Sequence, residues 1–474
     1  MNPKNTSTPT LRYRGTPLAA LVPVAIFLAA CVYYFIITKA FEMHALAMGA
    51  LIGLLLGSLF VRSECYNAYW AAACDGAREA VPIALLLLII GTFAAMIKAA
   101  GLSEGFVWLA RRLDVDGRAF TAFTFVAVCI IATATGSSIG TIFTCFPIFY
   151  PAGTALACAP APLAAAIVCG GIFGDNLAPI SDTTIISAGT QHYSRRPGAA
   201  DIGGCVATRL KYAIIGGAVA VALYWHAGGT GAAPTVAVDA TPAPLIMLIP
   251  VVLMLTVAVK TRDIYKAIAA GLITGTVLGL VSGVITPAQV ISVHNGSPAG
   301  YLTDGVASIA TTAVLVLGVY AIMGVLSAAG VLHSIAEAVS HSAAGRSSRG
   351  AELAMMAGTV LTTLIFGGVT SASMATFGKI QDEIGSRAGL HPYRRANLLD
   401  GFANSIPLAV PFLSVFILIG STLAAGYPDA VTPAQIAGHM YYCYALFVVL
   451  LVSVLTGWGR IYEGEDGAPV KKKP

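Results

Sequence analysis

The chain has 474 residues, of which 57% are hydrophobic and only 10% are charged. Soluble globular proteins carry roughly 25% charged residues, so this composition excludes an ordinary water-soluble fold. It also excludes a disordered chain, which needs low hydrophobicity and high charge. The net charge of +5 is not gathered into a basic stripe and does not indicate a nucleic-acid partner. The composition predicts a polytopic helical membrane protein.

Apolar runs of about 20 residues, the length that crosses a bilayer, recur along the whole chain. They predict ten full spans, near 17–37, 43–61, 80–100, 162–190, 208–226, 244–259, 264–285, 306–329, 396–425 and 437–457. Two more apolar stretches, 119–150 and 351–386, are each interrupted by a small polar kink, at 135–138 and 370–373. We expect both stretches to form re-entrant hairpins.

Lys and Arg residues in short loops set the orientation of the spans. They predict that both termini are cytoplasmic. The resulting domains are an N-terminal segment (1–16), a first repeat (17–226) with broken helix 162–190, an extracellular linker (227–243), a second repeat (244–457) with broken helix 396–425, and a C-terminal tail (458–474).

Short motifs recur in the same order in the two halves. The Gly-x-x-x-Gly-x-x-x-Gly pattern of 49–57 returns at 271–279, and Asn176-x-x-Pro179 returns as Asn404-x-x-Pro407. Since five spans and one hairpin form each half, the second half is inverted in the membrane. The predicted fold class is an all-α polytopic membrane protein with two inverted five-helix repeats, each with a re-entrant hairpin and a broken helix. Secondary transporters are organised in this way.

The helix breaks indicate where the site lies, because unpaired backbone groups in hydrocarbon are costly unless they line a polar cavity. Pro179 interrupts the first broken helix, and Ser181 or Asp182 is expected to cap its second half. Asp175 and Asp182 flank that proline, and an acid within a span is a functional candidate. The second break, at 404–407, carries no acid, so the predicted site is asymmetric.

Carboxylate, hydroxyl and carbonyl oxygens suit a hard cation such as sodium. Asp175 and Asp182 are predicted to bind sodium and protons in turn, with Asn176, Ser137 and Asn404 as neutral sodium ligands. The full set of predicted ion- or substrate-binding residues is Asp175, Asn176, Ser181, Asp182, Thr183, Thr135, Gly136, Ser137, Ser138, Thr370, Ser371, Ser373, Asn404 and Ser405. We expect no catalytic residues and no cofactor other than the transported or coupling ions.

Less specific interpretations stand beside these. Asp182 is alternatively a plain helix cap, Asp175 a hydrogen-bond partner of a neighbouring helix, and the Ser and Thr residues partners of their own helix backbone. Arg209 is assigned to a cytoplasmic loop, His391 to the membrane interface, and Asp400 to a solvated or capping position. A membrane enzyme and a passive channel are both disfavoured. No H-E-x-x-H or Walker-A motif occurs, and although residues 136–140, GSSIG, could suggest a serine hydrolase, no His–acid pair falls within a matching span.

Two segments resemble the NhaC family of sodium/proton antiporters, within the ion transporter superfamily. Residues 171–184, GIFGDNLAPISDTT, are similar to the family's G-D-x-x-S-P-x-S-D-T-T, with Ala178 where serine is usual. Residues 135–141, TGSSIGT, are similar to its T-G-S-S-W-G-T, with Ile139 where tryptophan is common. The resemblance extends over about 45–455 and is looser in the second half.

The resemblance implies a secondary transporter of the bacterial inner membrane that forms a homodimer and works by alternating access. The partners expected from it are membrane lipid and a small ion or solute. Sodium/proton antiport is the first hypothesis. The alternative is sodium- or proton-coupled transport of a small organic acid or amino acid, held by half-helix N-termini and hairpin hydroxyls.

Overall fold

The computed structural model describes residues 11–14, 17–38, 43–102, 104–105, 108, 116–229, 241–261, 263–294, 296–331 and 347–473. Most of the predicted N-terminal segment, and residues 230–240 of the predicted linker, lie outside this described part.

Helices make up nearly all of the regular structure. In the first half they are α1 (Val22–Cys31), α2 (Met43–Ser58), α3 (Tyr66–Ala99), α4 (Gly117–Thr135), α5 (Ser138–Ala155), α6 (Pro160–Leu177), α7 (Asp182–Gly189) and α8 (Ile202–Ala227). In the second half they are α9 (Leu248–Thr261), α10 (Ile264–Ser282), α11 (Pro287–Val290), α12 (Tyr301–Ala328), α13 (Ser348–Ile365), α14 (Thr370–Arg387), α15 (Pro392–Ala403), α16 (Val415–Ala425), α17 (Pro433–Ala437) and α18 (Tyr441–Thr456).

The strands are short and form two antiparallel pairs. These are β1 (Ser292–His294) with β2 (Ser297–Ala299), and β3 (Tyr462–Glu463) with β4 (Pro469–Val470). Short 3-10 helices lie at Pro17–Leu21, Ser63–Cys65, Ala243–Met247 and Ile406–Ala409, and a π-helical segment at Val32–Ile37. The prediction of a helical chain is confirmed.

Many of the helices are apolar enough for a membrane. Within the described residues, five have the length and composition to cross one: Gly117–Thr135, Pro160–Gly189, Ile202–Ala227, Tyr265–Ser282 and Tyr301–Ala328. The bent pair Ser63–Pro82 and Ala84–Ala99 makes a sixth if it is counted as one span, and five further apolar helices are shorter. One of the five is α4, which the sequence predicts as a hairpin arm. These helices indicate a multi-pass membrane protein, while the number of ten spans stays a prediction.

The longest contact between helices joins α3 to α12, one from each predicted repeat. Their backbones touch at glycines. A Cβ atom added to Gly324 would lie 2.2 Å from the Ala72 carbonyl oxygen, and one added to Gly305 would lie 2.4 Å from the Thr92 Cα. Small residues allow this close approach in membrane helices. A side chain at either glycine would push the two helices apart.

Both predicted hairpins contain two helices with a break between them. In the first, Gly136 adopts a left-handed conformation (φ +70°) and Ser137 caps α5, so the break lies at the predicted kink. In the second, α13 ends before Gly367 and Gly368, which have φ of +60° and +81°. The predicted kink at 370–373 is therefore wrong by about one helical turn, because left-handed glycines end the helix and these four residues begin α14.

Each hairpin break lies against one of the two helix breaks. A Cβ added to Gly136 would lie 2.4 Å from the Ile180 side chain, in the gap between α6 and α7. In the second half, the Val415 N–H donates to the Gly367 carbonyl at 3.1 Å, where α16 begins after the long interruption 404–414. Four chain interruptions therefore meet in two pairs in the interior.

The C-terminal tail packs back onto the helix ends. The Glu463 carboxylate accepts hydrogen bonds from the backbone N–H groups of Ser194 and Arg195 at 2.9 Å. Glu352, fully buried at the start of α13, pairs with Arg460 of the tail and with Arg394 of α15. His391 is also fully buried, and its Nδ1 accepts from the Tyr393 N–H and caps α15.

Candidate functional site

A buried acid lies where α6 ends. Asp175 is 6% exposed. Its carboxylate accepts hydrogen bonds from the Ser181 hydroxyl and, at 3.2 Å, from the Ser138 hydroxyl at the start of α5. The Thr183 hydroxyl lies 2.9 Å from that of Ser181 and donates to the Asp175 backbone oxygen at 3.3 Å. Two hydroxyls thus donate to one carboxylate, a third donates to the backbone oxygen of the same residue, and no salt bridge to the carboxylate occurs among the described residues.

The local sequence explains why the chain breaks here. Pro179 has no N–H and cannot continue α6, which ends with Ala178 in an extended conformation. Ser181 takes the capping position of α7 and accepts from the Thr183 N–H at 3.3 Å. The sequence left this cap open between Ser181 and Asp182. Because Ser181 fills it, Asp182 becomes the first residue of α7, and the structure places its side chain on the exposed face, outside the hydroxyl cluster.

A second acid, Asp400 of α15, lies in an adjoining network. It is fully buried, and its Oδ2 pairs with Arg209 Nη1 at 2.6 Å. Its Oδ1 accepts from the side-chain amides of Asn176 at 2.8 Å and Asn404 at 2.9 Å. One carboxylate oxygen therefore joins the two asparagines that the sequence predicts to be equivalent. The Asn404 Oδ1 is buried and has no hydrogen-bond partner within the described part of the chain.

Asp400 and Arg209 are the residues that the sequence analysis missed. The interpretation of Asp400 as solvated or capping is wrong, since it is fully buried within α15. The placement of Arg209 in a loop is also wrong, since Arg209 lies within α8 and is 1% exposed. A signal was present, because each lies inside a predicted span, where a charged residue usually has a partner.

The predicted residues of the first hairpin surround the hydroxyl cluster without all joining it. Thr135 Oγ1 lies 2.8 Å from Thr141 Oγ1, and Ser137 accepts from the Gly140 N–H at 3.1 Å as the cap of α5. Gly136 contacts the break through Ile180, as described above. Of the hairpin residues predicted to bind the ion or substrate, Ser138 alone is hydrogen-bonded to Asp175.

The predicted residues of the second hairpin form a separate polar group. Ser373 Oγ lies 3.0 Å from Thr362 Oγ1, so it bonds within its own hairpin. Thr370 is buried and Ser371 half-buried in the same first turn of α14. Ser405 donates to the Phe402 carbonyl at 2.7 Å. Among the second-half residues that the sequence predicts for the site, only Asn404 reaches the network of Asp400.

The two networks differ in charge. Asp400 is neutralised by Arg209, whereas Asp175 is surrounded by neutral donors. A buried carboxylate without a cationic partner is strongly unfavourable unless it binds a proton or a cation. The arrangement can therefore hold a small cation against Asp175, with hydroxyl oxygens as further ligands.

Comparison with known families agrees with this chemistry. Residues 6–215 match the Na+/H+ antiporter family, and this match includes Asp175 and both motifs that carry the resemblance. The resemblance to sodium/proton antiporters is confirmed. Members of the matched family are transporters and not enzymes, as expected for this chain.

Individual relatives cover the chain unevenly. The Na(+)/H(+) antiporter NhaC of Alkalihalophilus pseudofirmus is 30% identical over 138 residues, which are 29% of this chain and 30% of that relative. The match thus spans less than a third of the relative's length. The crystal structure of the Alcanivorax borkumensis YdaH transporter is similar with a TM-score of 0.39 and 15% identity, over 92% of this chain and 99% of that one.

Proposed function

We propose that this protein exchanges sodium for protons across a membrane, and that Asp175 binds the two cations in turn. The observation that carries the proposal is the buried Asp175 carboxylate at a helix break, which accepts from two hydroxyl groups and has no cationic partner among the described residues. A desolvated carboxylate needs a positive partner. Because sodium and the proton compete for the same group, release of one permits binding of the other.

The neighbouring oxygens supply the rest of the proposed sodium site. The hydroxyls of Ser138, Ser181 and Thr183 each have lone pairs available to a cation while their protons point to Asp175 or to one another. The side-chain oxygen of Asn404, which lacks a partner within the described residues, is a further neutral ligand in this proposal. The other residues that the sequence predicts for ion or substrate binding stay in this proposal as neutral groups near the helix breaks: Thr135, Gly136, Ser137, Asn176, Thr370, Ser371, Ser373 and Ser405.

Asp182 has a different part in the proposal from Asp175. Its carboxylate is exposed at the first residue of α7, immediately after the buried Ser181. An exposed carboxylate beside a buried site raises the local concentration of cations. We assign Asp182 to the capture and release of the ion. Asp182 thus takes part in the exchange, while Asp175 alone binds the desolvated ion.

The inverted repeat and alternating access of the elevator type belong to the same proposal. Support comes from the two hairpin breaks that lie on two helix breaks, and from Asn176 and Asn404 donating to one oxygen of Asp400. In this proposal the protein lies in the bacterial inner membrane as a homodimer with both termini cytoplasmic, and lipid surrounds it. It uses no cofactor beyond sodium and the proton.

Transport of an organic acid or amino acid has weaker support. Such a solute needs a free cationic group or helix end for its carboxylate, and the guanidinium of Arg209 already donates to acceptors on α6, α7 and α15. Neither the family match nor the NhaC relative names an organic solute.

Purified protein in liposomes with an enclosed pH dye tests the proposal. A pulse of external sodium, with no organic solute present, is expected to drive protons outward and raise the internal pH. Potassium at equal concentration and protein-free liposomes are the controls. A signal that requires an added amino acid or organic acid would contradict sodium/proton antiport and support the alternative.

A further inference from the structure

Arg209 bridges the two sides of the first helix break. From α8, its Nη1 donates to the Asn176 carbonyl at 2.7 Å, near the end of α6. The same guanidinium donates across the gap to α7, to Thr184 Oγ1 at 3.1 Å and Ser187 Oγ at 3.3 Å. The Asn176 carbonyl is one of the acceptors that the helix end leaves without an intrahelical partner. One side chain therefore fixes the separation of α6 from α7.

The residues that Arg209 holds are direct neighbours of the proposed sodium ligands. Asn176 follows Asp175, and Thr184 follows Thr183. The distance between the Asp175 carboxylate and the hydroxyl groups of α7 therefore depends on the bridge. A binding constellation works only when its groups are held close to the required geometry by supporting contacts.

We infer that Arg209 is a positioning residue of the cation site. Without contacting the ion, Arg209 sets the affinity of the site for sodium and its discrimination between alkali cations. This inference rests on the proposed function. The size of an oxygen cage decides which cation it fits best. A bridge that fixes the two sides of the cage therefore affects sodium and the smaller lithium ion unequally.

The shape of the guanidinium, and not only its charge, is needed for this role. Its charge is balanced by Asp400 at 2.6 Å, so the pair adds no net charge to the site. Its planar group also donates from Nε to Asn397 Oδ1 at 3.1 Å. Lysine has the same charge but a single nitrogen, so it cannot also make the separate contacts that Nε makes with Asn397 and Nη2 makes with Ser187.

The test compares two variants of the bridge with a matched control. Arg209→Lys keeps the positive charge and removes the planar guanidinium. Thr184→Val removes one hydrogen-bond acceptor without changing any charge. The control is Arg394→Lys, because Arg394 is also 1% exposed and paired with a buried acid, but its partners Glu352, Tyr212 and Ser453 are outside the site. Sodium and lithium titrations of proton exchange in liposomes give half-saturation concentrations, which do not depend on the amount of active protein. Melting temperatures are measured in parallel.

We expect Arg209→Lys to raise the sodium half-saturation about tenfold and to change the sodium-to-lithium ratio. Thr184→Val should shift both values in the same direction by a smaller factor. Arg394→Lys should lower the melting temperature and leave both values within twofold of wild type. If Arg209→Lys does not insert, the shift in Thr184→Val decides the question.

Three results would overturn the inference while leaving the proposed function intact. The first is that Arg209→Lys keeps the wild-type sodium half-saturation and the wild-type sodium-to-lithium ratio. The second is that Thr184→Val keeps both values when the lysine variant does not insert. The third is that Arg394→Lys shifts both values as much as Arg209→Lys does. Absence of sodium-driven exchange in the wild-type protein is distinguishable from all three, and it would overturn the proposed function and the inference together.

Discussion

Replacing the Asp175 carboxylate with an amide of the same shape removes the charge that the proposed exchange needs. In Asp175→Asn the contacts with Ser138 and Ser181 can persist, since the amide oxygen still accepts a hydrogen bond. The substitution therefore separates the loss of charge from the loss of packing. We expect sodium-dependent proton movement to disappear while the protein still inserts and folds.

The size of the effect on sodium binding follows from the burial of this carboxylate. With Asp175 only 6% exposed, water does not screen its attraction for a bound cation. Two unit charges 4 Å apart interact by about 4 kcal/mol at an effective dielectric constant of roughly 20. Loss of that energy corresponds to about a thousandfold weaker sodium binding. The melting temperature without sodium should be unchanged or higher, because an unpaired buried charge has been removed.

A sodium titration of the melting temperature measures this effect, because a ligand that binds the folded state raises its stability. Asp182→Asn is the matched control: it makes the same chemical change at an exposed position seven residues away. It should slow exchange and change sodium half-saturation far less than Asp175→Asn. Sodium-driven proton flux with wild-type half-saturation in Asp175→Asn would refute the assignment of Asp175.

Three further predictions concern the framework of the fold. Gly136→Ala should impair exchange and lower stability by about 1–3 kcal/mol, since φ is +70° and the new Cβ would lie 2.4 Å from Ile180; unchanged melting and transport would contradict this. Glu352→Gln should destabilise the protein by about 3–5 kcal/mol, because two arginines would lose a fully buried ionised partner, and thermal unfolding measures it. Burial lowers the pKa of His391 in the folded protein, so the unfolded chain binds a proton there more readily than the folded protein does. The contribution of neutral His391 to the free energy of unfolding should be complete above about pH 6.5 and be lost as the pH falls below that value. His391→Asn, which can still cap α15, should flatten that part of the melting-temperature profile.

The first helix break could be predicted almost to the residue. Proline without an N–H and a serine that caps the next helix act locally, so the sequence around Pro179 is sufficient to locate the break. The second hairpin was harder, because its polar residues at 370–373 suit a kink and also suit the first turn of a helix. The left-handed Gly367 and Gly368 decide between these, and the sequence does not show which glycines adopt that conformation.

The pairing of distant charges could not be predicted in the same way. Arg209 and Asp400 are 191 positions apart, and their contact depends on how α8 and α15 pack. The sequence does show that each falls within a predicted span, which should have marked both as buried partners. The exposure of Asp182 has a similar cause: its side-chain direction is set by which neighbour caps α7, a choice that the sequence left open.

Sodium binding measured over a range of pH tests the central claim most directly. The wild-type protein, purified in detergent, would be titrated with radioactive sodium at half-unit steps of pH. If one carboxylate binds sodium and the proton in competition, the apparent dissociation constant for sodium should rise about tenfold for each unit by which the pH falls on the acid side of the range. On the alkaline side it should become independent of pH. Sodium binding with the same constant throughout that range would contradict competition at Asp175 and the exchange mechanism built on it.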